Sequence, residues 1–219
     1  MKVILFGATG MVGQGVLREC LLDPDIQQVL SIVRTPSGQH DPKLRELVHA
    51  DFFDYSAIEP GLTGFDACFF SLGVSSAGMP EAQYKHLTYD LTLAAATTLA
   101  KLNPQMIFIY ISGAGTDSTE RDRTMWARVK GKTENDLLKL PFHAAYMFRP
   151  GIIQPLHSIR SKTRIYQIFY TAFKPIFPLV KSVFPQSTTT TEQIGRAMLQ
   201  IAKHGFPKTI LESKDINSL

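Results

Sequence analysis

Three glycines near the start of the chain are the first residues whose spacing bears on chemistry. Gly7, Gly10 and Gly13 stand three apart in Val3-Ile-Leu-Phe-Gly-Ala-Thr-Gly-Met-Val-Gly13. The four apolar residues Val3 to Phe6 read as a short buried strand, and Val12, Val16 and Cys20 with Leu17 and Leu21 recur at helical spacing. Strand, glycine turn and helix in that order make a cradle for a pyrophosphate. Gly7 makes the tight turn, Gly10 lets the backbone approach the phosphates, and Gly13 lets the helix pack close on the strand. Thr9, Met11 and Val12 complete the turn and the helix entry, whose free N–H groups favour an anion. The plain alternative is a glycine turn that only packs.

A second charged feature lies at the end of the next strand, Gln28 to Val33, where Arg34-Thr-Pro-Ser37 follows. An NAD-preferring site carries an acid there to accept from the adenosine ribose, whereas an arginine fork suits a phosphate. Arg34 therefore points to NADP(H) over NAD(H). The alternative is a solvated loop arginine.

With these residues in view, Gly7-Ala-Thr-Gly-Met-Val-Gly13 resembles the nucleotide-binding motif of the extended and atypical short-chain dehydrogenase/reductases, the group with NmrA-like and isoflavone-reductase-like members. The resemblance extends over roughly residues 1–151 and implies a Rossmann fold that binds NAD(P). It implies an adenine contact at Asp51-Phe52, although Asp51 reads equally as a helix cap. It matches Ser112 to the family's catalytic serine, and Pro150-Gly151, with Ile152, to the segment beside the nicotinamide. No substrate comes with it.

The resemblance breaks at one position. The family's catalytic pair is Tyr-x-x-x-Lys on one helix face, and this chain reads Trp126-Ala-Arg-Val-Lys130. An indole N–H donates a hydrogen bond but releases no proton near neutral pH. Loss of a general acid costs about 10²–10⁴ in rate, so carbonyl reduction here needs Tyr84, Tyr89 or a water in its place. Lys130 either holds the nicotinamide ribose or pairs with Glu134 one turn on. Arg149 reads as a structural ion-pair partner.

These residues need elements to position them. Further strands are expected at Leu47 to Ala50, Phe65 to Gly73, Met106 to Ser112 and Ala144 to Phe148, and the edge strand at Lys208 to Glu212. Parallel strands present their carboxyl ends to the ligand, which places Ser71, Leu72 and Gly73 on the crevice. Helices are expected at Asp54 to Ile58, Glu81 to Leu102, Asp122 to Leu140 with Asp117 or Ser118 as cap, and from Thr188 to Gly205. The expected fold is a Rossmann-type, doubly wound parallel α/β sheet in a single 1–219 domain, with 152–191 as a small C-terminal helical lobe.

Composition sets wider bounds. With 44% hydrophobic and 19% charged residues and a net charge of +4 in 219 residues, the chain is an ordinary globule. Cys20 and Cys68 read as small buried hydrophobes, and no residue cluster suggests a metal. A start too short for a signal-peptide core and the lack of an eighteen-residue apolar run lead to a cytoplasmic expectation. From Leu137 to Thr191 there are seven basic residues and no acidic one. The aromatic-rich part of that stretch, 152–186, suits an acidic ligand, an anionic membrane surface or a partner protein, or is an apolar helix with solvated cations. No motif indicates nucleic acid. Two readings follow: an NADP(H)-dependent oxidoreductase acting on a small carbonyl substrate, or an NADP(H)-binding sensor or adaptor that works through 152–186.

Overall fold

A computed structural model of the chain describes residues 1–157 and 186–219. Its centre is a seven-stranded sheet. The strands are β1 (Lys2–Phe6), β2 (Gln28–Val33), β3 (Leu44–Val48), β4 (Ala67–Phe70), β5 (Ile107–Ile111), β6 (Ala144–Arg149) and, after two short strands outside the sheet, β9 (Ile210–Glu212). They lie in the order β3-β2-β1-β4-β5-β6-β9, and every neighbouring pair is parallel. That order and sense are those of a doubly wound Rossmann sheet with one strand added at the far edge.

The apolar runs explain the layering. Alternate residues of β1 face opposite sides, so Val3 and Leu5 join one core and Ile4 and Phe6 the other. On the first side lie α1 (Met11–Leu22) and α5 (Thr191–His204), which contribute Val16, Cys20, Ile194 and Met198. On the second lie α3 (Leu91–Leu102) and α4 (Met125–Leu137), with Ala95, Leu99 and Leu137 buried against the sheet. Both faces are covered, which is why the central strands are apolar throughout rather than alternating. Cys20 and Cys68 are free and buried.

The long helix expected over 81–102 is present but not uniform. It runs as α2 (Glu81–Lys85), one π-turn at His86–Asp90, and then α3. Tyr84, Leu91, Ala95 and Leu99 along it are buried, and Leu87 and Leu102 are half-buried.

Several boundaries differ from expectation. The third strand is Leu44–Val48 and not Leu47 to Ala50, because an edge strand tolerates the charged Arg45 and Glu46 that broke its apolar pattern. The helix expected at Asp54 to Ile58 is a 3₁₀ segment, Ser56–Leu62, which contains Pro60. Asp117 caps no helix; its carboxylate accepts from the backbone N–H of Thr119, Arg121 and Asp122 and holds the loop before α4. In α5, by contrast, the Thr190 hydroxyl accepts from Gln193 N–H at 3.0 Å, and Gly205 closes the helix at φ +70°. Outside the main sheet, β7 (Ile152–Gln154) pairs in parallel with β8 (Thr188–Thr190), and α6 (Ser213–Ile216) follows β9. Of the 152–186 stretch read as a ligand or partner surface or an apolar helix, residues 158–185 lie outside the described residues.

Candidate functional site

The glycine turn sits at the carboxyl end of β1, in the middle of the sheet. Gly7 has φ +80°, and a Cβ there would stand 2.7 Å from the Ser71 carbonyl carbon. A Cβ on Gly13 would stand 2.0 Å from the Gly7 oxygen, so helix and strand approach as closely as backbones can. Gly10 faces outward: a Cβ there would find only the Gly7 oxygen within 4 Å, at 3.3 Å. As the first residue of α1's cap it offers no side-chain oxygen, and the first turn carries no acid. The first-turn N–H groups are thus left uncapped by any side chain, and the hydroxyl of Ser71, whose backbone packs on Gly7, is buried without a partner among the described residues. Uncapped donors, an open glycine surface and an orphaned hydroxyl fit a bound pyrophosphate. Thr9 is tied down by the Gln14 amide, which donates to its carbonyl at 3.1 Å.

To one side, a cavity of about 410 Å³ opens beyond the ends of β2, β3 and β4, with Arg34, Asp51, Phe52, Leu72 and Gly73 in its wall. Five residues expected at the nucleotide from three separate strand ends therefore line one space. Phe52 is nevertheless mostly core, packed edge-on to Phe6. Asp51 has a local duty too, accepting from Phe53 N–H at 2.9 Å. The sequence reading missed Phe53, Val74, Leu87 and Leu91 on the same wall. Phe53 adjoins the expected pair, but nothing in its neighbours marks it as facing the cavity.

To the other side, at the ends of β5 and β6, lie Ser112, Lys130 and Trp126. Ser112 is buried, and its hydroxyl donates to the Phe148 carbonyl at 3.0 Å. Lys130 reaches back from α4 and donates to the Ser112 carbonyl. The pairing with Glu134 that its spacing allowed does not occur. Glu134 is buried completely and takes Arg149, whose guanidinium also donates to the Ser118 hydroxyl at 2.6 Å. Arg149 is therefore the structural ion-pair partner expected, joining α4, β6 and the loop before α4. Burial pushes the Lys130 ammonium down to about 8, while the nearby Glu134 charge partly opposes that fall.

Trp126 is half-buried, its indole lying over Gly115, where a Cβ would stand 3.2 Å from the ring. Neither tyrosine offered as a substitute acid is placed to serve. Tyr84 is 2% exposed. Tyr89 donates to Asp136 at 2.8 Å and is flanked by the Lys85 and Lys132 amines, with its phenol raised mainly by burial. Lys132 lies about 200° around α4 from Lys130, so Tyr89 belongs to another face. Pro150 and Gly151 sit beside this group, the Ala114 N–H donating to the Pro150 carbonyl at 2.9 Å. Ile152 begins β7 and is 42% exposed.

Comparison with known proteins agrees with this geometry. Residues 7–138 match the family described as NAD(P)H-binding. The chain is 32% identical over 159 residues to "Protein fmp52, mitochondrial" of Emericella nidulans, covering 69% of this chain and 66% of that one. It is 28% identical over 155 residues to "Protein FMP52, mitochondrial" of Eremothecium gossypii, with 70% and 66% covered. The matches thus span just under two thirds of these relatives' length. Among solved structures, an oxidoreductase of the short-chain dehydrogenase/reductase family from Burkholderia thailandensis superposes with a TM-score of 0.69 at 13% identity, covering 99% of this chain and 92% of that one. The relatives' names overturn the cytoplasmic expectation, which rested on missing leader features rather than on any positive signal. A Rossmann sheet with the fold of short-chain dehydrogenase/reductases, an uncapped glycine turn and a family match over more than half its length make this chain a member of the family described as NAD(P)H-binding.

Proposed function

We propose that the protein is an NADP(H)-dependent reductase of a small carbonyl compound, with Lys130 in the role that a tyrosine fills elsewhere. The observation that carries this reading is a convergence along one sheet edge: the glycine turn at the centre, the Arg34 cavity on one side, the Lys130 ammonium on the other. The nucleotide would lie across all three, the phosphates on the α1 N-terminus and the adenosine towards Arg34. One good charge-assisted contact from Arg34 to a 2′-phosphate favours NADPH over NADH by roughly ten- to a hundredfold.

Bound there, the nicotinamide supplies a hydride donor or acceptor. The chain's own residues supply the rest. Gly151 and Ile152 would flank the ring, and Ser112 holds the strand end through its bond to Phe148. Lys130 is half-buried and mostly protonated at neutral pH, yet close enough to neutrality to release a proton to a developing alkoxide. Its hydrogen bond to the Ser112 carbonyl fixes the ammonium at the edge where a substrate carbonyl would lie.

The test is to excite Trp126, the single tryptophan, and titrate NADPH and then NADH, reading loss of indole emission and gain of nicotinamide emission. Stronger saturation by NADPH supports the reading; no change with either nucleotide sinks it. Oxidation of NADPH across a panel of aldehydes, ketones and quinones tests turnover. Trp126 and the engaged Ser112 hydroxyl favour one rival, a nucleotide-binding sensor or adaptor that acts through 152–186. It requires NADPH binding with no oxidation by any member of the panel, together with salt-sensitive binding to anionic vesicles or a protein bait.

A further inference from the structure

The wall of the Arg34 cavity contains an aromatic ring held from behind. Phe53 is 39% exposed and lines the cavity, while the His86 ring stacks on it with centroids 4.3 Å apart and planes 3° from parallel. His86 is not itself part of the wall. One face of Phe53 is therefore covered by imidazole and the ring is left to present its other side to the cavity.

Three further observations show that the ring is fixed rather than merely resting there. The Asp51 carboxylate accepts from the Phe53 N–H at 2.9 Å, which pins the backbone beneath it. The His86 ring is steadied in turn by Asp90, 3.1 Å from its Nδ1. His86 and Asp90 are the two ends of the π-turn, the one interruption of the helix over 81–102 among the described residues. A π-turn adds a residue to one helical turn and is a frequent mark of functional sites. Here it brings His86 against Phe53 while Leu87 and Leu91 complete the apolar wall.

An exposed aromatic face, an apolar wall and a cation at one end suit a flat heterocycle bearing a phosphate. We infer that Phe53, backed by His86, is a stacking platform for the adenine ring of the dinucleotide, so that Asp51 acts as a positioning residue beneath it. This rests on the NADP(H) reading above. It makes the adenosine half, and not the nicotinamide half, the source of this wall's contribution to affinity. Stacking of a base on an aromatic side chain corresponds to about a five- to hundredfold change in affinity.

The test uses calorimetric titration of the full chain with NADPH, adenosine 2′,5′-bisphosphate and reduced nicotinamide mononucleotide. Phe53→Ala should weaken the first two by about tenfold or more and leave the mononucleotide within twofold, whereas Phe53→Trp should preserve all three. His86→Ala, which frees the ring without shortening it, should weaken the bisphosphate by a smaller factor. Bound adenosine bisphosphate should show upfield-shifted adenine H2 and H8 resonances that Phe53→Leu abolishes. Equal affinity of Phe53→Ala and wild type for the bisphosphate, or unshifted adenine protons, overturns the platform and leaves nucleotide binding standing. Wild type that binds neither NADPH nor the bisphosphate overturns both readings together.

Discussion

The Lys130 ammonium on α4 is hydrogen-bonded to the backbone carbonyl of Ser112 at the end of β5, eighteen residues earlier in the chain. A lysine so placed has no carboxylate within salt-bridge distance among the described residues, because Glu134 is taken by Arg149. On its own helix Glu134, one turn on, is the charge that acts on it. Arg149 on β6 in turn sits among Glu134, Glu212 on β9 and Asp117 in the preceding loop.

If Lys130 is the acid, reduction depends on its protonated form. The rate should hold below pH of about 8 and fall about tenfold per unit above it. Lys130→Arg keeps the charge but cannot give up its proton, and should lose about 10²–10⁴ in kcat/KM with NADPH affinity little changed. A pH–rate profile and single-turnover kinetics on both proteins decide this.

The same lysine makes a stability prediction. In the unfolded chain it keeps its proton to about 10.5, and in the fold to about 8, so between these values the unfolded state binds more protons. Its contribution to stability therefore rises with pH across that window and is least favourable below it. Lys130→Met should raise the unfolding free energy at pH 7 by about 1–3 kcal/mol, and the gain should shrink by pH 10. Urea melts at the two pH values measure it.

Trp126→Tyr would set a phenol one turn from Lys130, over the Gly115 backbone that the indole now covers. Where wild-type reduction is slow, this variant should raise it by about 10²-fold. No gain, with the variant folded and binding NADPH, would show that the Ser112 edge does not admit a substrate carbonyl. NADPH oxidation against the substrate panel is the readout.

At Arg34, replacement by alanine should weaken NADPH binding by roughly ten- to a hundredfold and leave NADH within about twofold. Equal losses for the two nucleotides would place Arg34 away from the 2′-phosphate. Paired calorimetric titrations separate these outcomes.

Glu134→Ala leaves the Arg149 guanidinium without its buried carboxylate. The expected cost is about 3–5 kcal/mol, shown as a lowered urea midpoint at unchanged slope. A change below about 1 kcal/mol would mean that Glu212, 3.8 Å from Arg149, takes over the pairing.

Steric and local information was readable directly from the residues. Gly7 and Gly13 announce backbone contacts that exclude a Cβ, and the apolar runs Val3 to Phe6 and Ile107 to Ile111 announce doubly covered strands. Such features depend on neighbours within one turn or one strand, so their signal is local. Strand limits were less legible where charge met an exposed edge, as at Arg45 and Glu46 in β3. The contacts that give the site its character join distant residues. Ser112 spends its hydroxyl on Phe148, Arg149 takes Glu134 away from any partnership with Lys130, and His86 stacks on Phe53. Each was undetermined by spacing because several partners were sterically open to each side chain. Only folding the parallel strands side by side, with their carboxyl ends on one edge, chose among them. The residue types on their own thus pointed to a dinucleotide cradle, and only the family resemblance marked Trp126 as standing where a tyrosine is usual. The tertiary structure decided which lysine lost its counter-ion and which aromatic ring faced the cavity, because burial and pairing depend on what the rest of the chain brings within reach.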